Sequence, residues 1–136
     1  MAVMEWDPAR FDVGVAKMNQ EHEGLVRLMN QIHDRNQAKA PKAELAGMID
    51  RLAGLTVKHF ADEEAYLESV AFPELRTHKA IHAKLLADFT RHKQAFDAGP
   101  GSLGKDFFDF LSLWLRSHIC HLDMKYNPVA KARKAV

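Results

Sequence analysis

Apolar residues recur every three or four positions along most of this chain, which is the spacing of an α-helix with one buried face. Four segments carry this pattern, and proline or glycine residues separate them. Asn19 is a candidate cap for the first segment. The pattern predicts a first helix over residues 19–37 and a second over residues 42–67. A third helix should follow Pro73 and end near residue 97. After a loop at 98–102, a fourth helix should end at residue 127.

Short connections between four amphipathic helices favour an all-α fold, an antiparallel up-down-up-down four-helix bundle. No segment alternates apolar and polar residues as a strand would. Residues 1–18 lack helical periodicity and are predicted to form an extended N-terminal arm. The bundle itself is expected to occupy residues 19–127, and residues 128–136 a short basic tail. The chain therefore reads as one domain over residues 1–136.

Composition limits the classes of function. The chain has 136 residues, of which 19 are basic and 18 acidic. A net charge of +1 does not indicate a basic surface for binding nucleic acid. No apolar run approaches the roughly 20 residues that span a bilayer, and no signal-peptide pattern opens the chain. The single cysteine, Cys120, excludes an internal disulfide and agrees with a reducing compartment. We expect a cytoplasmic monomer that neither binds nucleic acid nor inserts into membranes.

Two pairs of potential metal ligands stand out, His59 with Glu63 and His78 with His82. The members of each pair are four residues apart, which on a helix is about 40° around the axis and about 6 Å along it. Each pair therefore projects from one face and could hold a metal ion. A single such histidine is more often a packed structural residue, but two pairs in succession favour a metal site.

The bundle topology tests this idea independently. His22 lies near the start of the first helix and His118 toward the end of the fourth, so in an antiparallel bundle both reach the end that carries the two pairs. Asp123 lies downstream of His118. Five imidazoles and two carboxylates are too many for one structural zinc, which takes four ligands. They suit two ions of iron or manganese that share carboxylates and leave one position open for a small molecule. His33 and His92 read as structural, whereas His121 and Cys120 lie close to candidate ligands and their roles stay open.

The order of these residues resembles the complete ligand pattern of the hemerythrins: His22, His59-x-x-x-Glu63, His78-x-x-x-His82 and His118-x-x-x-x-Asp123. The resemblance extends to Trp6 and Asp7 in the arm, to Phe60, and to Trp114-Leu115 before His118. It covers essentially the whole chain and looks like a stand-alone bacterial hemerythrin.

The resemblance implies reversible O₂ binding, for oxygen storage, transport or delivery, with no catalytic residues. The cofactor would be two non-haem iron ions per chain, bridged by an oxo or hydroxo group. One iron would take His78, His82 and His118, and the other, with an open position, His22 and His59. Glu63 and Asp123 would bridge them. The expected O₂ pocket consists of Leu25, Phe60, Trp114, Leu115 and Ile119. The recipient would be an oxygen-consuming protein that the sequence does not identify.

Two points stay open at this stage. His118 and Asp123 are five residues apart, about 140° on an ideal helix, so we expect a π-like turn there or a fraying helix end. The same site could also serve an O₂ or NO sensor or a weak oxidase or peroxidase. Oxidases of this architecture use Glu-x-x-His motifs, which the chain lacks, and no output module is evident after residue 128.

Overall fold

The computed structural model describes residues 12–118, and within that range all regular structure is helical. This confirms the all-α four-helix bundle. The four helices are α1 (Ala16–Gln37), α2 (Lys42–Ser69), α3 (Leu75–Ala98) and α4 (Lys105–Ser117). No helix in residues 12–118 combines the length and the apolar content that crossing a membrane requires.

Cross-helix ion pairs show that α1 and α2, and likewise α2 and α3, run in opposite directions. Arg35 near the end of α1 lies 3.0 Å from Glu44 near the start of α2. Lys93 late in α3 lies 2.8 Å from Asp50 early in α2. His118, which follows α4, lies 3.0 Å from His82 in the first turns of α3, whereas Phe107 early in α4 packs against His92 late in α3. The start of α1, the end of α2, the start of α3 and the end of α4 therefore meet at one end of the bundle.

The predicted apolar stripes form the core. Burying a large aliphatic side chain stabilises a fold by about 1.5–3 kcal/mol relative to leaving it exposed, so these faces hold the bundle together. The largest fully buried side chains are Met18, Leu25, Met29, Ile32, Leu45, Ile49, Leu52, Leu67, Leu111 and Leu115.

The third helix contributes differently to the interior. Its buried side chains are His78, His82, Phe89 and Phe96. Its first turns therefore bring imidazoles, rather than aliphatic groups, to the centre of the bundle. Because buried polar groups cost free energy unless they are paired, this end of the core must supply partners for them.

The connection from α3 to α4 is tied to the other two helices at the opposite end. The Asn36 side chain accepts the backbone N–H of Leu103 and donates to its carbonyl, each at 2.9 Å. Lys42 Nζ donates to the carbonyls of Asp97 and Gly99. Gly101 has φ +95°, in the left-handed region that favours glycine. These contacts fix the entry of α4 and so the direction in which its later residues point.

The first helix begins at Ala16, three residues before the predicted start, and Asn19 does not cap it. The N-cap is Val15. Asn19 lies in the first turn, where its Oδ1 accepts the N–H of Val13 and its Nδ2 donates to Asp12. The amide side chain thus holds the preceding segment onto the helix. Most of the predicted arm, including Trp6, and the predicted tail at 128–136 lie outside the described residues.

Candidate metal centre

Six of the seven predicted metal ligands meet at one end of the bundle, each at most 4% exposed. They come from α1, α2, α3 and the C-cap of α4: His22, His59, Glu63, His78, His82 and His118. The only other buried polar side chain in residues 12–118 is Thr56, whose hydroxyl donates to the Leu52 carbonyl. The buried polarity of the described chain is therefore concentrated in this one layer.

Glu63 lies at the centre of the layer, and its two oxygens face different sets of imidazoles. Its Oε1 lies 2.6 Å from His78 Nε2, 2.9 Å from His82 Nε2 and 3.4 Å from His118 Nε2. Its Oε2 lies 3.6 Å from His22 Nε2 and 3.5 Å from His59 Nε2.

These contacts divide the layer into two groups that share one carboxylate. We call Glu63 with His78, His82 and His118 the three-histidine group, and Glu63 with His22 and His59 the two-histidine group. Within each group, one potential ligand atom from every residue lies within 4.8 Å of the others.

The spacing of the donor atoms fits one metal ion per group. Octahedral ligands at about 2.1 Å from an ion lie about 3 Å apart, close to the separations between Glu63 and the imidazoles. The nitrogens of His82 and His118 are likewise 3.0 Å apart. Imidazole with carboxylate is a donor set that suits iron. The residues present therefore fit a pair of iron ions with Glu63 between them.

The charge of Glu63 agrees with a bridging role. Burial raises the pKa of its carboxyl group, but hydrogen bonds from His118, His22, His59 and His78 outweigh burial and hold the pKa well below its ordinary value. Glu63 is consequently ionised, with both oxygens available as acceptors or ligands.

Two further carboxylates, which the sequence analysis did not single out, contact the outer sides of the candidate ligands. Glu21 Oε1 lies 2.7 Å from His59 Nδ1, and Glu64 Oε2 lies 2.8 Å from His82 Nδ1. Each acid is adjacent in sequence to a candidate ligand, which was an available signal. However, each contacts a histidine on the next helix, and a helical pattern alone does not show that pairing.

The sequence profile of the hemerythrin HHE cation binding domain matches residues 13–130. The chain belongs to the hemerythrin family. It is 30% identical to a bacteriohemerythrin from Methylococcus capsulatus over 132 residues, which is 97% of this chain and all of the relative. It is 31% identical over 126 residues to a bacteriohemerythrin from Pseudomonas aeruginosa, covering 93% of this chain and 80% of the relative.

Solved hemerythrin structures share the fold. A crystal structure of wild-type hemerythrin superimposes with a TM-score of 0.86 at 29% identity, covering 95% of this chain and 98% of the other. A crystal structure of a leucine-to-alanine hemerythrin mutant gives 0.87 at 28% identity, covering 96% and 98%. These similarities over nearly the whole chain confirm the resemblance to the bacterial hemerythrins.

The aromatic ring of Phe60 packs against several of the candidate ligands. The Phe60 ring stacks on His82, with centroids 3.8 Å apart and planes 4° apart. The same ring lies 5.5 Å from His118 and 5.9 Å from His59, so it borders both groups. Trp114 packs edge-on against Phe60 at 6.1 Å. Leu25 and Leu115 are buried as well, whereas Ile119 lies outside the described residues.

Asp123, the seventh predicted ligand, also lies outside the described residues, as do Cys120 and His121. His118, the last described residue, has helical dihedral angles (φ −64°, ψ −52°), and its N–H donates to the carbonyls of Trp114 and Leu115. The part of Asp123 in the site stays a prediction.

The two histidines predicted to be structural lie away from the layer. The His33 ring packs edge-on against Phe108 at 5.0 Å, and His92 stacks on Phe110 at 4.6 Å. Both phenylalanines precede Trp114 on α4 by a turn or more. Neither histidine belongs to the two groups of candidate ligands.

Proposed function

We propose that this chain binds O₂ reversibly at a pair of non-haem iron ions, for oxygen storage, transport or delivery. The observation that carries the proposal is the division of the buried layer by Glu63, with one carboxylate oxygen toward each group of imidazoles. A buried arrangement of this kind suits two ions and is more than one structural zinc requires. The family of the chain supports the same choice.

The three-histidine group would hold one iron and the two-histidine group the other. Glu63 and Asp123 would bridge the ions together with an oxo or hydroxo group. The two-histidine group offers one protein nitrogen fewer, so a position there remains for a small molecule. When bound, the iron pair would supply the electrons for reversible O₂ binding.

The protein side chains would keep this reaction reversible by excluding water. Phe60 borders both groups, and Leu25 and Leu115 are each only 2% exposed. A dry pocket prevents proton leakage and side reactions at a reactive centre. We propose that these residues, with Trp114 and Ile119, form the wall of the O₂ pocket.

The composition of the site favours a carrier over an enzyme. Five of the six buried polar residues in the described layer are imidazoles, and the single carboxylate among them is shared. Di-iron oxidases of similar architecture have carboxylate-rich sites with Glu-x-x-His motifs. The same reasoning disfavours a sensor that acts through redox catalysis.

We further propose a cytoplasmic monomer that delivers O₂ to an oxygen-consuming protein. Large exposed apolar side chains in residues 12–118 are limited to Leu55, Val57 and Leu113. Scattered apolar residues of this kind are normal on monomers and do not form an extended interface.

Iron content tests the site. Protein produced in iron-replete medium should hold close to two iron ions per chain. His78→Ala or His82→Ala should lower that ratio, whereas His33→Ala and His92→Ala, which change histidines elsewhere in the bundle, should preserve it. Equal loss of iron in all four variants would indicate general destabilisation, and one tightly bound zinc in place of iron would refute the di-iron proposal.

A further inference from the structure

Two carboxylates outside the ligand set, Glu21 and Glu64, contact the far nitrogens of two candidate ligands. Glu21 on α1 reaches His59 on α2 at 2.7 Å, and Glu64 on α2 reaches His82 on α3 at 2.8 Å. Each acid therefore crosses to the following helix. One partner belongs to the two-histidine group and the other to the three-histidine group, so each group receives one such contact.

The direction of these hydrogen bonds is fixed by chemistry. An ionised carboxylate can only accept, so Nδ1 of each imidazole carries the proton and donates it to the acid. Nε2 of each ring faces Glu63 and the metal position, and a bound ion would take the place of any proton on that atom. The acids thus select the tautomer and the ring orientation that metal binding needs.

Burial makes the two contacts strong. His59 and His82 have side chains 2% exposed, while Glu21 and Glu64 are 17% and 27% exposed. Each hydrogen bond therefore runs from a buried ring to an acid at the edge of the interior, where the low effective dielectric strengthens it. The acids pay little of the desolvation cost that a fully buried carboxylate would incur.

We propose that Glu21 and Glu64 are positioning residues, one for each iron, which orient His59 and His82 and add negative charge behind them. This inference rests on the proposed function. A negative charge behind a ligand favours the more positive, oxidised state of the metal and lowers its reduction potential. The two acids thereby influence both iron retention and the ease with which electrons pass to O₂.

The test separates orientation from charge by using two substitutions at each position. Glu21→Gln and Glu64→Gln keep an oxygen that accepts the Nδ1–H but remove the charge. Both should retain close to two irons and raise the midpoint reduction potential of the iron pair. Glu21→Ala and Glu64→Ala remove the acceptor as well, so ferrous iron should bind about 10- to 100-fold more weakly in competition with a chelator.

Matched controls lie on the same helices. Glu23, two residues after Glu21, pairs with Arg27 on the surface, and Glu68 lies one turn after Glu64 in an exposed position. Glu23→Gln and Glu68→Gln should leave both the iron affinity and the midpoint potential at their wild-type values. Circular dichroism on all variants confirms that the bundle has folded.

The positioning role would be overturned if Glu21→Gln and Glu64→Gln had the same midpoint reduction potential as the control variants. It would also be overturned if Glu21→Ala and Glu64→Ala bound ferrous iron as tightly as the wild-type protein. Failure of the proposed function itself gives a different result, because the wild-type protein would then fail to retain two irons. With an intact wild type, any wild-type behaviour of the Glu21 and Glu64 variants counts against this inference alone.

Discussion

Replacing Glu63 by glutamine tests whether one carboxylate serves two metal ions. The substitution conserves shape and volume, but the amide keeps only one oxygen, and its nitrogen is a poor metal ligand. One oxygen currently faces His78 and His82 at 2.6 and 2.9 Å, and the other faces His22 and His59 at 3.6 and 3.5 Å. Whichever way the amide turns, one group loses its acceptor.

The substitution should lower the unfolding free energy of the metal-free protein by only a small part of its total. Hydrogen bonds to charged groups contribute about 1.5–3 kcal/mol and neutral ones about 0.5–1.5 kcal/mol. With two short contacts affected, the metal-free protein should lose about 2 kcal/mol of unfolding free energy, offset in part because a buried charge disappears. A domain with about 5–15 kcal/mol of stability remains folded after that loss.

We therefore expect Glu63→Gln to fold but to hold one iron or fewer per chain. Metal analysis gives the stoichiometry, and denaturant unfolding of the metal-free protein gives the stability. Glu44→Gln is the matched control, because it makes the same change at the opposite end of α2, where Glu44 pairs with Arg35 on the surface. A Glu63→Gln protein that retains two irons and the wild-type absorption spectrum would refute the shared-carboxylate reasoning.

Two further predictions concern the pocket and the far end of the bundle. Leu115→Asn and Leu111→Asn replace buried side chains one turn apart on α4. Each variant should lose about 3–5 kcal/mol of unfolding free energy, because apolar burial is lost and the amide is left unpaired. Only Leu115→Asn should speed decay of the oxygenated absorption band, and equal decay rates in the two variants would refute water exclusion by Leu115. Asn36→Ala removes two 2.9 Å hydrogen bonds to Leu103 and should cost about 1–3 kcal/mol in denaturant unfolding with unchanged iron content, whereas loss of iron would contradict the separation of this end from the site.

The helices and the candidate ligands were predictable because both depend on local periodicity. A four-residue spacing brings His78 and His82 to one helix face in any helical fold. Short connections then impose antiparallel neighbours, which is enough to bring His22 and His118 to the same end. The fold class and the convergence of these residues therefore follow from the order of apolar and polar positions along the chain.

The sequence did not reveal features that depend on contacts between helices. Glu21 and Glu64 act on histidines of the next helix, so their partners depend on side-chain rotamers and helix rotation that periodicity does not specify. The division of the Glu63 oxygens between two groups has the same origin. Asn19 resembles a helix cap in sequence, but its amide bonds back to Asp12 and Val13, because the same side chain can satisfy either a cap or a preceding turn.

The most direct test of the account is an oxygen cycle on the iron-loaded wild-type protein. The reduced protein should take up one O₂ for every two irons without added reductant, develop the absorption of an oxygenated form, and return to the reduced spectrum under vacuum over repeated cycles. Uptake of O₂ that vacuum does not reverse, or that continues only while a reductant is supplied, would contradict reversible binding and identify the site as a redox enzyme.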